Sequence, residues 1–277
     1  MTASVVCFGD NCVDRYDAPE KRQFAGGNAV NTAVHCRAAG CKTSYVGSVG
    51  RDAGGQAVLQ KLREREIDVS QVQQFDAETA WTKVVLLDKE RQFLEEYLGP
   101  KDSFRFTPQL FTYLSNHTVI HNTWQGGTEH QLARFQQTGG ALVSMDFGER
   151  YSQEFLDLCI PHVNIAFFSM APSQLEQARE FAPQMHQRGP DYVVVTVGKS
   201  GSVVSHRTQG VFFEPPYPVE VVDTLGAGDT YIGTFLAAFV QQQTIPACMK
   251  LATQAAAKNC SIFGGFAGSE ILPQPAP

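Results

Sequence analysis

The chain has 277 residues, of which 43% are hydrophobic and 18% are charged. This composition is typical of a globular protein with a buried core and argues against a disordered chain. The formal net charge of −6 is mild, so neither nucleic acid nor an anionic membrane surface is expected as a partner.

The cysteines and the N-terminal residues indicate a reducing compartment. The seven cysteines are odd in number and scattered, without a C-x-x-C pair, which favours free thiols over a disulfide framework or a zinc site. Residues 1–10 lack the basic region and long apolar run of a signal peptide, and no apolar stretch approaches the roughly 18 residues that span a bilayer. We therefore expect a cytoplasmic protein without a membrane partner.

Short apolar runs alternate with helix-like segments along most of the chain. The predicted strands are residues 5–8, 44–49, 119–121, 142–146, 164–168 and 192–197. The helix-like segments are residues 26–40, 53–66, 131–137 and 174–187. This alternation predicts an α/β fold with a mainly parallel sheet covered on both faces. Polar residues cluster where strands end, which is the edge at which such sheets bind ligands.

One segment interrupts the alternation. Residues 79–87 and 92–98 are β-prone runs joined by Asp88-Lys89-Glu90-Arg91, which predicts an antiparallel hairpin with a polar turn. Such a hairpin often forms a lid or an edge extension, and two ordinary surface strands are the alternative. Residues 272–277 contain three prolines and are expected to form a loose tail.

The strongest chemical signal is Asp223-Thr224-Leu225-Gly226-Ala227-Gly228-Asp229-Thr230, which precedes an apolar run. The glycines permit a tight turn, and the apolar run predicts a helix whose N-terminal amides form an anion hole suited to a phosphoryl group. Asp229 at the mouth of this hole can accept a proton from an attacking hydroxyl. The alternative is a glycine-rich helix start in which the helix dipole alone favours an aspartate.

Upstream, an apolar strand ends at Thr196 and turns through Gly198-Lys199-Ser200-Gly201. A glycine-rich turn lets the backbone approach a nucleotide closely. The turn is not a P-loop, because that motif needs a glycine where Val193 stands. No G-x-G-x-x-G follows a strand, so a dinucleotide-binding fold is unsupported.

Two segments near the N-terminus carry groups that can bind hydroxyls. Gly26-Gly27-Asn28-Ala29-Val30-Asn31 places two glycines and two amide side chains at the start of a helix. Gly9-Asp10-Asn11-Cys12-Val13-Asp14 adds carboxylates after the first strand, and a carboxylate can accept hydrogen bonds from two vicinal hydroxyls of a sugar. Taken singly, such residues are more often helix caps or turn residues.

Together and in this order, these four segments resemble the ribokinase or PfkB family of carbohydrate kinases over residues 5–266. The resemblance implies an ATP-dependent sugar kinase with a ribokinase-like three-layer sandwich, in which a small β-strand lid covers the sugar beside a mostly parallel central sheet. It implies one domain, residues 1–277, with lid strands at about 14–24 and 79–98. Lids of this family often mediate dimerisation, so a homodimer through the lid is expected.

The family's site residues carry over by position in its motifs. The catalytic base and the surrounding anion hole correspond to Asp229, Gly228, Ala227 and Gly226. The nucleotide-binding positions correspond to Thr196, Gly198, Gly201 and Thr224. The sugar-binding positions correspond to Asp10, Asp14, Gly27, Asn28 and Asn31. Asp223 and the backbone of Leu225 correspond to a monovalent-cation site, for an ion such as K⁺, that some members have.

Magnesium is expected with ATP, because the charge on the phosphates must be neutralised. One departure bears on how the ion is held. Many members carry an Asn-x-x-Glu motif after a mid-chain strand, whereas this chain has Ser169-Met170-Ala171-Pro172. This stretch lacks both the amide and the carboxylate, so contacts to magnesium through water are expected.

Several phrases, among them residues 9–14, 24–31 and Asp146-Phe147, resemble family members that phosphorylate the 6-hydroxyl of a fructosamine such as fructoselysine. The resemblance implies a substrate amine, for which the candidate partners are Asp10, Asp146 and Glu149. Candidates for the pocket wall are His121, Asn122 and Trp124, for which packing roles are the alternative. A plain ketose, ribose or a nucleoside is the alternative substrate, and a non-catalytic sugar-binding regulator is the alternative of another class.

Overall fold

The computed structural model describes residues 3–16, 21–87, 90–137 and 139–271, except for the side chains of residues 86–93. Two turn residues of the predicted hairpin, Asp88 and Lys89, and the predicted tail at 272–277 lie outside the described residues.

The described residues form fourteen strands and eight α-helices. The strands are β1 (Ser4–Phe8), β2 (Cys12–Tyr16), β3 (Arg22–Gly26), β4 (Lys42–Val46), β5 (Ser48–Gly50), β6 (Gln73–Phe75), β7 (Trp81–Leu87), β8 (Glu90–Tyr97), β9 (Val119–Thr123), β10 (Leu142–Asp146), β11 (Ile165–Ser169), β12 (Tyr192–Thr196), β13 (Ser202–His206) and β14 (Gly210–Glu214). The helices are α1 (Asn28–Ala38), α2 (Ala53–Arg63), α3 (Pro108–Ser115), α4 (Leu132–Gln137), α5 (Gln153–Cys159), α6 (Leu175–Gln184), α7 (Ala227–Val240) and α8 (Ile245–Cys260).

The central sheet has eight strands in the order β14-β13-β12-β11-β10-β9-β1-β4. The six strands from β12 to β4 are parallel, and β13 and β14 continue the sheet antiparallel at one edge. Helices α1, α2, α7 and α8 pack on one face, and α3, α4, α5 and α6 on the other. The predicted α/β class with a mostly parallel, doubly covered sheet is confirmed.

Alternation of side chains explains why the parallel strands are apolar throughout. In β1, Val5 and Cys7 enter the core on one face, and Val6 and Phe8 enter the core on the other. Successive residues of a strand point to opposite faces, so a strand buried on both sides reads as a continuous apolar run.

Two sequence predictions need correction, and two strands were missed. The single strand predicted at 44–49 is two strands, because the chain leaves the central sheet after Val46 and β5 pairs with β6 instead. Glu90 and Arg91 were predicted in the polar turn, but they belong to β8, where their backbones pair with Leu87 and Leu86. The antiparallel strands β13 and β14 were not predicted.

A smaller sheet with the strand order β3-β2-β7-β8 stands apart from the central one. Tyr16, Phe24 and Val84 form its buried cluster, with the ring of Phe263 packed against them. Backbone hydrogen bonds tie it to the C-terminal part of the chain, from Ala25 N–H to Ser269 O at 2.8 Å and from Ile271 N–H to Gln23 O at 2.7 Å. Among the described helices, none is long and apolar enough to cross a membrane.

The buried imidazole of His121 generates a prediction about stability. Its Nδ1 lies 3.0 Å from Ser144 Oγ, and its Nε2 has no hydrogen-bond partner among the described residues. Burial lowers the pKa of His121 from 6.5 to about 3. An unfolded chain therefore binds a proton below pH 6.5 that the folded chain does not bind, and stability falls as the pH drops toward about 3.

We expect this one group to cost about 2 kcal/mol of unfolding free energy between pH 7.5 and pH 5. His121→Asn keeps a hydrogen-bonding group near Ser144 but cannot titrate, so its unfolding free energy should fall by about 2 kcal/mol less over that interval. Urea unfolding of both proteins at the two pH values measures the difference. Equal losses would show that His121 does not stay neutral when folded.

Candidate active site

A cavity of about 800 Å³ lies at the carboxyl ends of β1 and β9. Phe8, Gly9 and Asp10 contribute from the end of β1, and residues 124–126 from the end of β9. Thr82 and residues 94–98 contribute from the smaller sheet, which forms the facing wall. The cavity is therefore enclosed between two separate sheets, one of which can shield a ligand from water.

Asp229 lies in the first turn of α7 and lines this cavity, although its side chain is buried. Its Oδ2 accepts a hydrogen bond of 2.8 Å from Nδ2 of Asn31 in α1. Burial raises the pKa of Asp229 well above its ordinary value, the Asn31 hydrogen bond lowers it, and neighbouring carboxylates raise it further. The result is a carboxylate with a raised proton affinity at the mouth of a helix N-terminus.

The turn before α7 depends on a close backbone contact. Gly226 is the N-cap residue with φ of 69°, and a Cβ at this position would lie 2.8 Å from Gly265 O. Two residues later, Gly228 faces open space, with no heavy atom within 4 Å of its Cβ position. The N-terminal end of α7 is therefore open to the cavity at Gly228, where an anion can reach the backbone amides.

Side chains from outside the turn hold it in place. Asp223 accepts hydrogen bonds from Leu225 N–H at 3.0 Å and from Gly264 N–H at 2.8 Å. On the other side, His35 Nε2 lies 3.0 Å from Gly265 O and 2.9 Å from Thr230 Oγ1. His35 and Asn31 are one turn apart on α1, so one helix face supports both the turn and Asp229.

The start of α1 is held by Asp10. Its two carboxylate oxygens accept hydrogen bonds from Asn28 N–H at 2.7 Å and from Thr123 Oγ1 at 2.6 Å. The negative charge stabilises the N-terminus of α1, and the second hydrogen bond joins this end of the helix to β9. Gly27, with φ of 103°, is the N-cap residue, and a Cβ there would lie 2.5 Å from Asn11 Cα. Because Gly27 has no side chain, the backbone at the start of α1 can pass close to the backbone of Asn11.

The cavity is rich in hydrogen-bond acceptors. Asp14 is buried there, and Cys12 Sγ donates to its Oδ1 at 3.6 Å. The Oδ1 atoms of Asn11 and Asn31 are buried and have no hydrogen-bond partner among the described residues. Acceptors left without a partner beside a cavity suit a ligand with several hydroxyl or N–H donors.

The predicted nucleotide-binding turn lies at the end of β12. Thr196 pairs with Ser169 of β11, and the two hydroxyl oxygens are 3.1 Å apart. Ser200 Oγ donates to Pro172 O at 2.8 Å, so the turn packs against residues 169–172. The segment that replaces Asn-x-x-Glu therefore lies beside this turn.

The cavity brings together many of the residues predicted from the sequence: Asp10, Asp14, Gly27, Asn28, Asn31, Gly226, Gly228 and Asp229. The remaining predicted residues are not among those that line it: Thr196, Gly198, Gly201, Asp223, Thr224 and Ala227. Sequence reasoning missed several lining residues, namely Asn11, Cys12, Glu95, Glu96, Lys101 and Arg150. Asn11 and Cys12 lie within the segment 9–14 discussed above, whereas the other four look in the sequence like ordinary strand or loop residues.

Four candidates from strand ends do not line the cavity. Glu149 is exposed, and Asp146 is buried beside its own strand end, where it accepts from Gly148 N–H at 2.9 Å. Burial raises the pKa of Asp146 to about 6. His121 and Asn122 are fully buried within the sheet. Trp124 does line the cavity, with 40% of its surface exposed.

Comparison with known proteins gives a consistent result. Residues 2–270 match the family described as "pfkB family carbohydrate kinase". The chain is 32% identical to a fructoselysine 6-kinase from Shigella flexneri over 95% of this chain and 99% of that protein. It is 31% identical to the fructosamine kinase FrlD of Bacillus subtilis over 95% and 92%.

Among solved structures, an Arabidopsis thaliana ribokinase complexed with ribose and ATP superposes with a TM-score of 0.84. It shares 20% sequence identity, and the match covers 95% of this chain and 94% of the ribokinase. At that identity the likeness establishes a common fold. The sequence prediction of a ribokinase-like fold is confirmed.

The two glycines of the turn offer a matched pair of substitutions. Gly226→Ala should lower the unfolding free energy by about 2 kcal/mol, because it places a side chain at positive φ against the backbone of Gly265. Gly228→Ala should change it by no more than about 0.5 kcal/mol, because its Cβ enters open space. Denaturant unfolding measures both. Equal destabilisation would contradict the close contact at Gly226.

Proposed function

Because the chain belongs to the pfkB family of carbohydrate kinases and is an ATP-dependent sugar kinase, we propose that its substrate is a fructosamine such as fructoselysine. Asp229 is the general base that takes the proton of the substrate's 6-hydroxyl. The observation that carries this role is the buried Asp229 carboxylate, held by Asn31 at the open end of α7 and facing an acceptor-rich cavity.

The reaction needs a base and an anion hole within reach of one another. A hydroxyl that approaches Asp229 can give up its proton while the amides near Gly228 stabilise the charge on the transferred phosphoryl group. Raised proton affinity suits a base that must accept a proton from a hydroxyl near neutral pH. The turn at 198–201 and Thr224 hold the rest of the nucleotide.

Magnesium enters this site with ATP. Among the described residues, no group of three His, Cys, Asp or Glu side chains is arranged to hold a metal ion. The 169–172 segment offers the Ser169 hydroxyl, which lies 3.1 Å from Thr196 Oγ1, but no carboxylate. Mg²⁺ prefers oxygen ligands and retains several waters, so the phosphates of bound ATP and water would hold it at this site.

The proposed site for a monovalent cation such as K⁺ is Asp223 with the backbone of Leu225. The Asp223 carboxylate binds Gly264 N–H, and the hydroxyl of Ser269 is buried without a partner in the part of the chain that the structure describes. Ser269 Oγ lies 2.7 Å from the Cβ position of Gly264, so the two oxygen-bearing side chains flank one glycine. A buried oxygen without a partner, close to the glycine that the Asp223 carboxylate binds, supports a site for a hard cation, which would steady the phosphate-side turn.

The smaller sheet acts as the lid and as a dimer surface in this proposal. Leu94 and Leu98, which also line the cavity, are 56% and 43% exposed, and a second copy that covered these apolar side chains would cover part of the site. The proposed location is the cytoplasm, which supplies ATP and keeps the seven cysteines reduced.

The fructosamine assignment is supported by the two fructosamine-kinase relatives and by the acidic cavity. Asp10, Asp14 and Asp229 are carboxylates that line it, and an amine attached to the sugar is protonated near neutral pH. A plain sugar offers no such charge. The non-catalytic alternative is set aside, because the chain belongs to a kinase family.

An ATP-consumption screen with Mg²⁺ and K⁺ tests the proposal. Fructoselysine and other fructosamines are compared with fructose, ribose, tagatose and nucleosides, and turnover is expected with the fructosamines. Asp229→Asn should reduce kcat at least ~10²-fold, because it removes the base without changing the side-chain volume. Turnover of plain sugars or nucleosides alone would refute the substrate, and near-normal turnover of Asp229→Asn would refute the base.

The hydrogen bond from Asn31 leads to a prediction about pH. Asn31→Leu removes a donor that lowers the pKa of Asp229, so the pKa rises and more of the base is protonated at a given pH. A base acts only when deprotonated, so kcat/KM should fall about fivefold more at the acidic end of the profile than at the alkaline end, the equivalent of roughly 1 kcal/mol. An even loss at every pH would show that Asn31 only orients the carboxylate.

A further inference from the structure

We infer that Lys101 and Arg150 form a cationic subsite that binds the free carboxylate of the amino-acid part of the substrate. The inference rests on the proposed function, and it names the two side chains that would distinguish an amino-acid conjugate from a plain sugar. It is carried by the charges in the cavity, by the lack of partners for the two cations and by their position.

The cavity has an uneven set of charges. Five carboxylates line it, from Asp10, Asp14, Glu95, Glu96 and Asp229. Only two cationic side chains do so among the described residues, those of Lys101 and Arg150. A neutral sugar can hydrogen-bond to the carboxylates but has no charge that requires either cation. An amino acid attached to the sugar carries both an amine and a carboxylate, and so matches both signs.

The two cations are available to a ligand. Neither Lys101 nor Arg150 forms an ion pair or a side-chain hydrogen bond with any other residue that the structure describes. Other arginines of the chain do pair with acidic residues, as Arg15 does with Glu78 at 2.8 Å. Two unpaired cations in a cavity with acidic walls therefore mark a place where an anion from outside can bind.

The fold positions the two cations by different elements. Lys101 begins a short 3-10 turn after β8, and the next aromatic residue, Phe104, packs on Phe8 at the end of β1 with ring centroids 5.0 Å apart. Arg150 lies four residues beyond the end of β10. In the same loop, a Cβ added to Gly148 would lie 3.3 Å from Nε1 of Trp124, so the loop backbone passes close to that ring. These contacts fix the backbone near each cation, while Lys101 is half-buried and Arg150 is exposed, so both charges can reach a ligand.

The size of the cavity leaves room for this appendage. Its volume of about 800 Å³ lies in the upper half of the roughly 300–1,000 Å³ range for ligand pockets. A single hexose next to Asp229 would leave much of this space to water. The lid residues 94–98 and the two cations line the cavity together with the base, which gives a conjugated amino acid a wall to contact.

The test uses two substrates that differ only in the carboxylate. Fructoselysine and its decarboxylated analogue, fructose joined to the diamine that corresponds to lysine without its carboxyl group, are compared by kcat/KM. The native protein should prefer fructoselysine by about tenfold or more, the range for a charge-assisted hydrogen bond. Lys101→Met and Arg150→Gln should each lower kcat/KM for fructoselysine about fivefold to twentyfold and leave the analogue within about twofold.

Matched controls separate this role from others. Lys250→Met removes an exposed lysine of α8 that does not line the cavity, and it should leave the preference unchanged. Lys101→Arg and Arg150→Lys retain the charge and should restore most of the preference. Unchanged turnover of the analogue by each variant shows that the variant has folded.

Each other outcome overturns the assignment in a distinguishable way. Equal turnover of the two conjugates by the native protein would refute the carboxylate subsite but leave the fructosamine proposal standing. Turnover of plain sugars without turnover of fructosamines would refute both. A loss by Arg150→Gln that is equal for both conjugates, together with a raised KM for ATP, would assign Arg150 to the phosphates and refute its part in the subsite.

Discussion

The central constraint in this protein is a carboxylate that must be buried and still react. Asp229 is buried near Asp10, Asp14 and Asp146, all of which raise its pKa. Burying a charge among like charges is costly unless donors compensate for the lost water. The Asn31 amide and the N-terminus of α7 supply part of that compensation, so the packing of α1 against α7 is a requirement of the site and not only of the core.

The phosphate-side turn is held by contacts that allow little adjustment. Gly226 lies against Gly265, Asp223 binds Gly264, and His35 lies within hydrogen-bonding distance of Gly265 O and Thr230. These contacts join three segments that are far apart in the sequence. An anion hole works because its donors are in place before the charge develops, and rigid packing from both sides provides this preorganisation.

The sequence reveals local geometry better than it reveals partners. The glycines and the apolar run around Asp229 predict a turn and a helix because both depend on neighbouring residues. The hydrogen bond between Asn31 and Asp229 joins residues that are 198 positions apart, and no sequence pattern near either residue predicts it. His121 was expected near the pocket because it lies at the end of a strand, but its side chain points into the core. The position of a residue along a strand can be predicted from the sequence. The face of the sheet to which its side chain points depends on how the rest of the sheet is packed.

The segment from Phe263 to Ile271 connects the two sides of the cavity. Gly264 binds Asp223 below the phosphate-side turn, and Ser269 O accepts from Ala25 N–H of β3 in the smaller sheet. A movement of β3 must therefore strain this segment or carry the turn with it. Among the backbone hydrogen bonds of the described residues, this segment reaches β3 but not β7 or β8. We therefore propose that closure over a substrate involves β7 and β8, since residues 94–97 of β8 line the cavity, while β3 stays attached to the phosphate side.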